Sequence, residues 1–203
     1  PLPHSLTHSL THSLTHSLPV MVVGCGRGYD VTFLASPDRF VLGLDIAEVA
    51  VEAARERAHS LAASQVEVSG DVTPPPPLLL SQVEFSTTSF FDLPSHEESD
   101  KFNLIYDYTF LCALDPSLRQ RWAEQMSALL VSGGELVTLI FPICDKPDGP
   151  PYAMSQDLVR GLLEGVGLRA VTLEALPSEL CNPGRDGTGI WGASSALGRW
   201  RKE

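Results

Sequence analysis

The hydrophobic positions of this chain fall into two rhythms. Short, nearly continuous apolar runs stand at Val20–Val23, Phe40–Leu44, Val83–Ser86, Phe102–Tyr108 and Glu135–Phe141. Runs of that length, bounded by Gly, Pro and Asp, read as strands buried on both faces. Between them the apolar positions recur at helical spacing. One helix follows Gly28 with Val31, Phe33 and Leu34, and a second spans Ile46 to Ala63 with Glu48, Glu52, Arg55 and Glu56 turned to water. Asp115-Pro116-Ser117 opens a third, with Leu118, Trp122, Met126 and Leu129–Leu130 on one face and Ser132-Gly133-Gly134 as its stop. Leu158–Leu163, closed by Gly165 and Gly167, is the last. Val171–Leu176 and Leu197–Arg201 can pair as an antiparallel hairpin across the glycine-rich stretch Asn182–Gly192. Strands alternating with helices predict an α/β fold: a seven-stranded, mostly parallel, Rossmann-like sheet with helices on both faces and an antiparallel C-terminal hairpin.

Two stretches fall outside the rhythm. Residues 1–19 repeat His-Ser-Leu-Thr, with His4, His8, His12 and His16 at every fourth position. On a helix these imidazoles would form a metal-binding stripe, but so little apolar content predicts a disordered low-complexity tail. It has neither the basic start nor the apolar centre of a secretory signal. The 70–80 stretch holds four consecutive prolines, Pro74–Pro77, and reads as an exposed insertion loop. The folded domain is therefore expected over 20–203.

Length and charge narrow the function classes. A chain of 203 residues builds one α/β domain, and a net charge of -11 argues against a nucleic-acid partner. No apolar run reaches the ~20 residues of a membrane span. The four cysteines (25, 112, 144 and 181) lack metal-ligand spacing and read as reduced thiols of a cytoplasmic, monomeric protein with no metal.

The chemistry gathers where the first strand turns. Gly24-Cys25-Gly26-Arg27-Gly28 sets glycines at alternate positions between a strand and a helix. Such a turn tolerates positive φ and lets a ligand approach the backbone. An acid at the tip of the next strand, Asp45, is placed to accept from both hydroxyls of a ribose. The sixth position from Gly24 is Tyr29, so the loop is not the dinucleotide G-x-G-x-x-G. The G-x-G-x-G form is usual in folds that bind S-adenosylmethionine. Ligands of such sheets bind beyond the carboxyl ends of the strands, which adds Ser89-Phe90 and Asp107-Tyr108 to the crevice. Phe90 is suited to lie against an adenine, with Ser89 or Asp92 at its edge.

In this order the residues resemble the thiopurine S-methyltransferase family, with its thiol and halide methyltransferase branch. The likeness rests on Gly24–Asp30, Gly43-Leu44-Asp45-Ile46, Phe102–Leu114 with its Asp107-Tyr108-Thr109-Phe110, Gly133–Leu136, Gly149-Pro150-Pro151-Tyr152 and Leu197–Trp200. It implies a class I S-adenosylmethionine-dependent methyltransferase. The cofactor contacts it implies are Gly24, Cys25, Gly26, Asp45, Ile46, Ser89, Phe90 and Tyr108. Tyr108 and Asp107 would orient the acceptor or take its proton through water, and Phe110, Pro151 and Tyr152 would wall its pocket. Tyr108 matches the thiol and halide branch, where the mammalian thiopurine branch carries Arg, so a small thiol, bisulfide, thiocyanate or halide is the expected acceptor. The plant members carry Asp where this chain has Ser89. The family's Trp-rich N-terminal lid is replaced here by the His repeat. The alternative that this leaves open is an S-adenosylmethionine-binding protein without turnover. A nicotinamide-dependent oxidoreductase is disfavoured by Tyr29.

Overall fold

The structure, a computed structural model, describes residues 18–64, 78–189 and 191–203. The His repeat, apart from its last residue, and the proline run lie outside them. Seven strands form a mixed sheet in the order β3-β2-β1-β4-β5-β7-β6. The chain divides into two compact units, residues 1–102 and 103–203.

In the first unit β1 (Leu18–Val23), β2 (Arg39–Leu44) and β3 (Val83–Ser86) lie parallel. Their register pairs Val23 with Leu44 and Leu44 with Ser86, so the three strands end level. Whatever follows each strand, Gly24, Asp45 and Thr87, therefore meets at one sheet edge. Val20 to Val23 and Phe40 to Leu42 are buried, as strands covered on both faces require. Helix α1 (Tyr29–Leu34) packs on β1 and β2, and α2 (Glu48–Ser64) packs on β3. The apolar series of α1 is only partly a core face: Val31 is fully buried, but Phe33 is 83% exposed.

The second unit contains β4 (Phe102–Tyr108) from Asn103 onward, α3 (Arg119–Leu129), β5 (Leu130–Ile143), α4 (Gln156–Glu164), β6 (Leu168–Ala175) and β7 (Ser194–Lys202). The expected hairpin is present. β7 lies between β5 and β6 and runs antiparallel to both. Glu135 on β5 clasps Arg199 and Arg201 of β7 at 2.7 and 2.6 Å, which holds its carboxyl below the usual range. Trp122 and Trp200 fill the unit's core, each with its indole N–H satisfied, by Asp107 and Thr138 respectively.

Several boundaries shift by a few residues, β1 already starting at Leu18 inside the expected tail, and one differs in kind. The third helix stops at Leu129, and Ser132-Gly133-Gly134 lies inside β5, with Gly133 at φ 76. Leu130 is fully buried and already extended, which a continuing helix would not allow. The Lys202 ammonium donates to the Ser127 and Leu130 carbonyls at 2.7 and 2.8 Å, so a cation from β7 caps the helix end in place of a glycine.

Candidate active site

In the first unit the loop after β1 is built by left-handed glycines. Gly24, Gly26 and Gly28 have φ of 62, 52 and 73. A Cβ at Gly28 would sit 2.7 Å from the Phe85 ring and 2.9 Å from Ala54, so both backbone conformation and packing demand glycine there. A Cβ at Gly26 would meet nothing within 4 Å: the turn is open on that side.

Asp45 ties this loop to the end of β2. Its Oδ2 accepts from the Gly26 amide at 2.9 Å and its Oδ1 from the Ala47 amide at 2.9 Å. Its own amide donates to the Ser86 carbonyl at 3.1 Å. A carboxylate has about four acceptor positions. Two are used here, so one on each oxygen is left for a vicinal diol such as a ribose. With the open turn at Gly26 and with Ile46 77% exposed beside Asp45, these residues fit an adenosyl group.

The other members of the expected set in this unit are placed differently. Ser89 is half-buried and its Oγ accepts from the Phe91 amide at 3.3 Å, capping a single helical turn. Phe90 is packed inside, 3% exposed, and meets Phe91 edge to face at 5.2 Å. Cys25 is buried, and burial together with the Asp45 charge pushes its thiol up to about 12. It is inert as a nucleophile at neutral pH and contributes a small side chain and a backbone amide bonded to the Leu44 carbonyl.

In the second unit the end of β4 carries Asp107, Tyr108 and Phe110. Asp107 is 2% exposed. Its Oδ1 accepts from the Phe110 and Leu111 amides at 3.1 and 3.3 Å, and its Oδ2 from the Trp122 indole N–H at 2.9 Å. The side chain thus faces inward and holds the Leu111–Ala113 turn on α3. Burial pushes the carboxyl up to about 6, against the pull of its three donors. Cys112, buried in the same turn, has its thiol pushed up to about 11. Thr109, between them, is held in the left-handed region at φ 66, a conformation that β-branched residues rarely adopt.

The raised Asp107 value carries a stability prediction. The folded form binds this proton more tightly than an unfolded Asp of pKa ~3.9 does. The contribution is therefore fully present below that value and is lost as pH rises through about 6. Urea unfolding at pH 4.5 and 7 is expected to show this loss in the native chain and much less of it in Asp107→Asn. At neutral pH the variant should be less stable by about 1–3 kcal/mol, because an amide N–H₂ would face the Trp122 donor. Equal pH dependence in both proteins would remove Asp107 as its source.

Tyr108 points elsewhere. Its phenol oxygen accepts from Asn182 Nδ2 and from Arg185 Nη1. The Arg185 guanidinium also lies 5.1 Å from the Tyr108 ring centre and 4.5 Å from that of Phe141. Tyr152 is tied to the β4 turn, its amide donating to the Cys112 carbonyl at 2.7 Å, and its ring covers Gly149. The Pro151 carbonyl accepts from Lys146 Nζ at 2.7 Å. The structure thus brings Tyr152 and Phe110 to one turn and aims Asp107 away from the Tyr108 hydroxyl. Arg185, Asn182 and Lys146 escaped the sequence reading, which took Asn182–Gly192 as a hairpin connection and singled out Pro151 and Tyr152, but not Lys146, in the loop after β5. The only signal for Arg185 was a cationic residue inside a glycine-rich loop of an acidic chain.

Among the described residues no cluster of three metal ligands occurs, and no helix is long and apolar enough to cross a membrane. Comparison with known proteins agrees with the geometry. Residues 2–199 match the Thiopurine S-methyltransferase (TPMT) family. "Probable thiol methyltransferase 2" of Arabidopsis thaliana is 38% identical over 182 residues, covering 90% of this chain and 69% of its own length. "Thiocyanate methyltransferase 1" of the same plant is 37% identical, with 90% and 68% covered. Among solved structures, the N-methyltransferase NodS from Bradyrhizobium japonicum WM9, in complex with S-adenosyl-L-homocysteine, superposes with a TM-score of 0.62. At 17% identity, over 98% of this chain and 85% of that one, it speaks for the fold alone. The chain belongs to the thiopurine S-methyltransferase family, whose members are S-adenosylmethionine-dependent methyltransferases with a Rossmann-like sheet.

Proposed function

We propose that the chain methylates a small anionic acceptor: thiocyanate, bisulfide or a small thiolate, with halide ions in the same class. The observation that carries this reading is Arg185. It is a half-buried cation that donates to the Tyr108 hydroxyl and has no carboxylate in ion-pair range among the described residues. A charge so placed in a protein of net charge -11 suits a small anion. The names of the thiol and thiocyanate methyltransferase relatives support the same class.

When bound, S-adenosylmethionine supplies a methyl carbon activated by its sulfonium, which leaves as a neutral thioether once the acceptor displaces it. The residues then have little acid–base work to do, and their task is placement. Asp45, with the Gly24, Cys25 and Gly26 backbone, would hold the ribose and its neighbourhood, with Ile46 and Ser89 completing the cofactor contacts of the first unit. Phe90, packed inside, would support that wall rather than offer its own face. Arg185, Asn182 and Tyr108 would fix the anion by charge and hydrogen bonds, while Phe110, Pro151 and Tyr152 exclude water. Asp107 acts at one remove, by setting the turn that follows Tyr108. Four free cysteines, two of them buried, suit a reducing cytoplasm.

Steady-state kinetics over a panel of acceptors tests the reading. Thiocyanate and bisulfide are expected to exceed a neutral thioether or a thiopurine in kcat/KM by at least about tenfold, since a half-buried Arg partner discriminates by charge. The opposite ranking would overturn it. Binding of S-adenosylhomocysteine without turnover of any acceptor would favour the binding-only alternative.

A further inference from the structure

We propose that Lys146 is a positioning residue, latching the loop that carries Pro151 and Tyr152 to the loop that carries Asn182 and Arg185; this rests on the acceptor reading above. The first loop leaves β5 and the second joins β6 to β7, so the two are distant in the chain and meet through their side chains. Lys146 Nζ bridges them. It donates to the Pro151 carbonyl at 2.7 Å within its own loop and lies 4.3 Å from the centre of the Trp191 ring in the other. The second loop also meets the end of β5, with the Arg185 guanidinium 4.5 Å from the Phe141 ring centre. Each link pairs a cation with an aromatic face, an attraction that strengthens as water is excluded.

The arrangement at Lys146 is not that of a solubilising surface lysine. Asp145 and Asp148 flank it in sequence, yet among the described residues the ammonium forms no ion pair with either. It turns instead to a carbonyl and a ring, half-buried between them. Trp191 remains 48% exposed, so its contact with Lys146 is not a by-product of core packing. With the tips joined, the residues proposed to wall the acceptor and those proposed to hold its charge become one preorganised surface. Preorganisation of this kind appears in acceptor affinity more than in the rate of the chemical step.

Lys146→Met and Trp191→Leu, assayed in the intact chain with thiocyanate, test the latch. Each is expected to raise the acceptor KM about tenfold while kcat stays within about threefold and S-adenosylhomocysteine affinity is unchanged. The double variant should be no worse than either single one, because both remove the same contact. Lys146→Arg, which keeps the cation over the ring, should restore most of the loss. Acrylamide quenching gives a readout independent of turnover. Trp122 and Trp200 are fully buried, so quenchable emission reports Trp191, and it should rise in Lys146→Met. Unchanged quenching would remove the latch, and increased quenching with unchanged KM would remove its role in positioning. If the native chain turns over no small anion, the acceptor reading fails and the positioning role with it, and quenching then decides the contact alone.

Discussion

Asp45→Ala is expected to weaken binding of S-adenosylhomocysteine at least about 100-fold, about 2.7 kcal/mol. The carboxylate does two jobs that the substitution removes together. It holds the Gly26 and Ala47 amides at 2.9 Å each, which shapes the open turn, and it keeps one acceptor position on each oxygen for the ribose hydroxyls. Hydrogen bonds to a charged group are each worth about 1.5–3 kcal/mol when their partner is lost, so two ribose contacts alone reach the predicted size. The fold should survive, because Gly26 and Ala47 lie near the surface and water can satisfy their amides. Asp45→Asn keeps an acceptor without the charge and should fall between, at about tenfold. Titration calorimetry decides, and an affinity within threefold of the native value for Asp45→Ala would remove Asp45 from the cofactor site.

Arg185→Met carries the second large effect. It should lower kcat/KM for thiocyanate about 100-fold while leaving S-adenosylhomocysteine affinity within about threefold. The guanidinium supplies charge, a donor to the Tyr108 oxygen and a plane against the Phe141 ring. Lysine reproduces only the charge, so Arg185→Lys is expected to recover a minor part of the loss. Tyr108→Phe removes an oxygen already engaged by two donors and should cost less, about three- to tenfold. Equal kcat/KM for Arg185→Met and the native chain would contradict an anion subsite at this residue.

The strands were legible in the sequence because their information is local. β3 and β4 have the bounds that their apolar runs predict, and the glycine turn with Asp45 forms a 2.9 Å contact across 19 positions, as the strand–turn–strand spacing implies. What was not legible depends on partners far along the chain. Gly133-Gly134 reads as a helix stop, but the helix is ended by a buried Leu130 and capped by Lys202, 72 positions away. Asp107 reads as an acid at a ligand crevice. Its hydrogen bond to Trp122 instead turns it inward, and no local pattern encodes that. Arg185 lies 77 positions from Tyr108 and reaches it only because the β6–β7 connection folds back. Phe90 and Phe91 are indistinguishable as neighbours in sequence, and packing alone buries the first and leaves the second half-exposed.

The most direct test of the account is transfer of label from S-adenosylmethionine carrying a deuterated methyl group to thiocyanate by the purified chain, followed by mass spectrometry of the volatile product. The account predicts trideuteromethyl thiocyanate in equal amount to the S-adenosylhomocysteine formed, with none from Arg185→Met above about 1% of the native rate. Bound cofactor with no labelled thiocyanate, or with label passing only to uncharged acceptors, would contradict it.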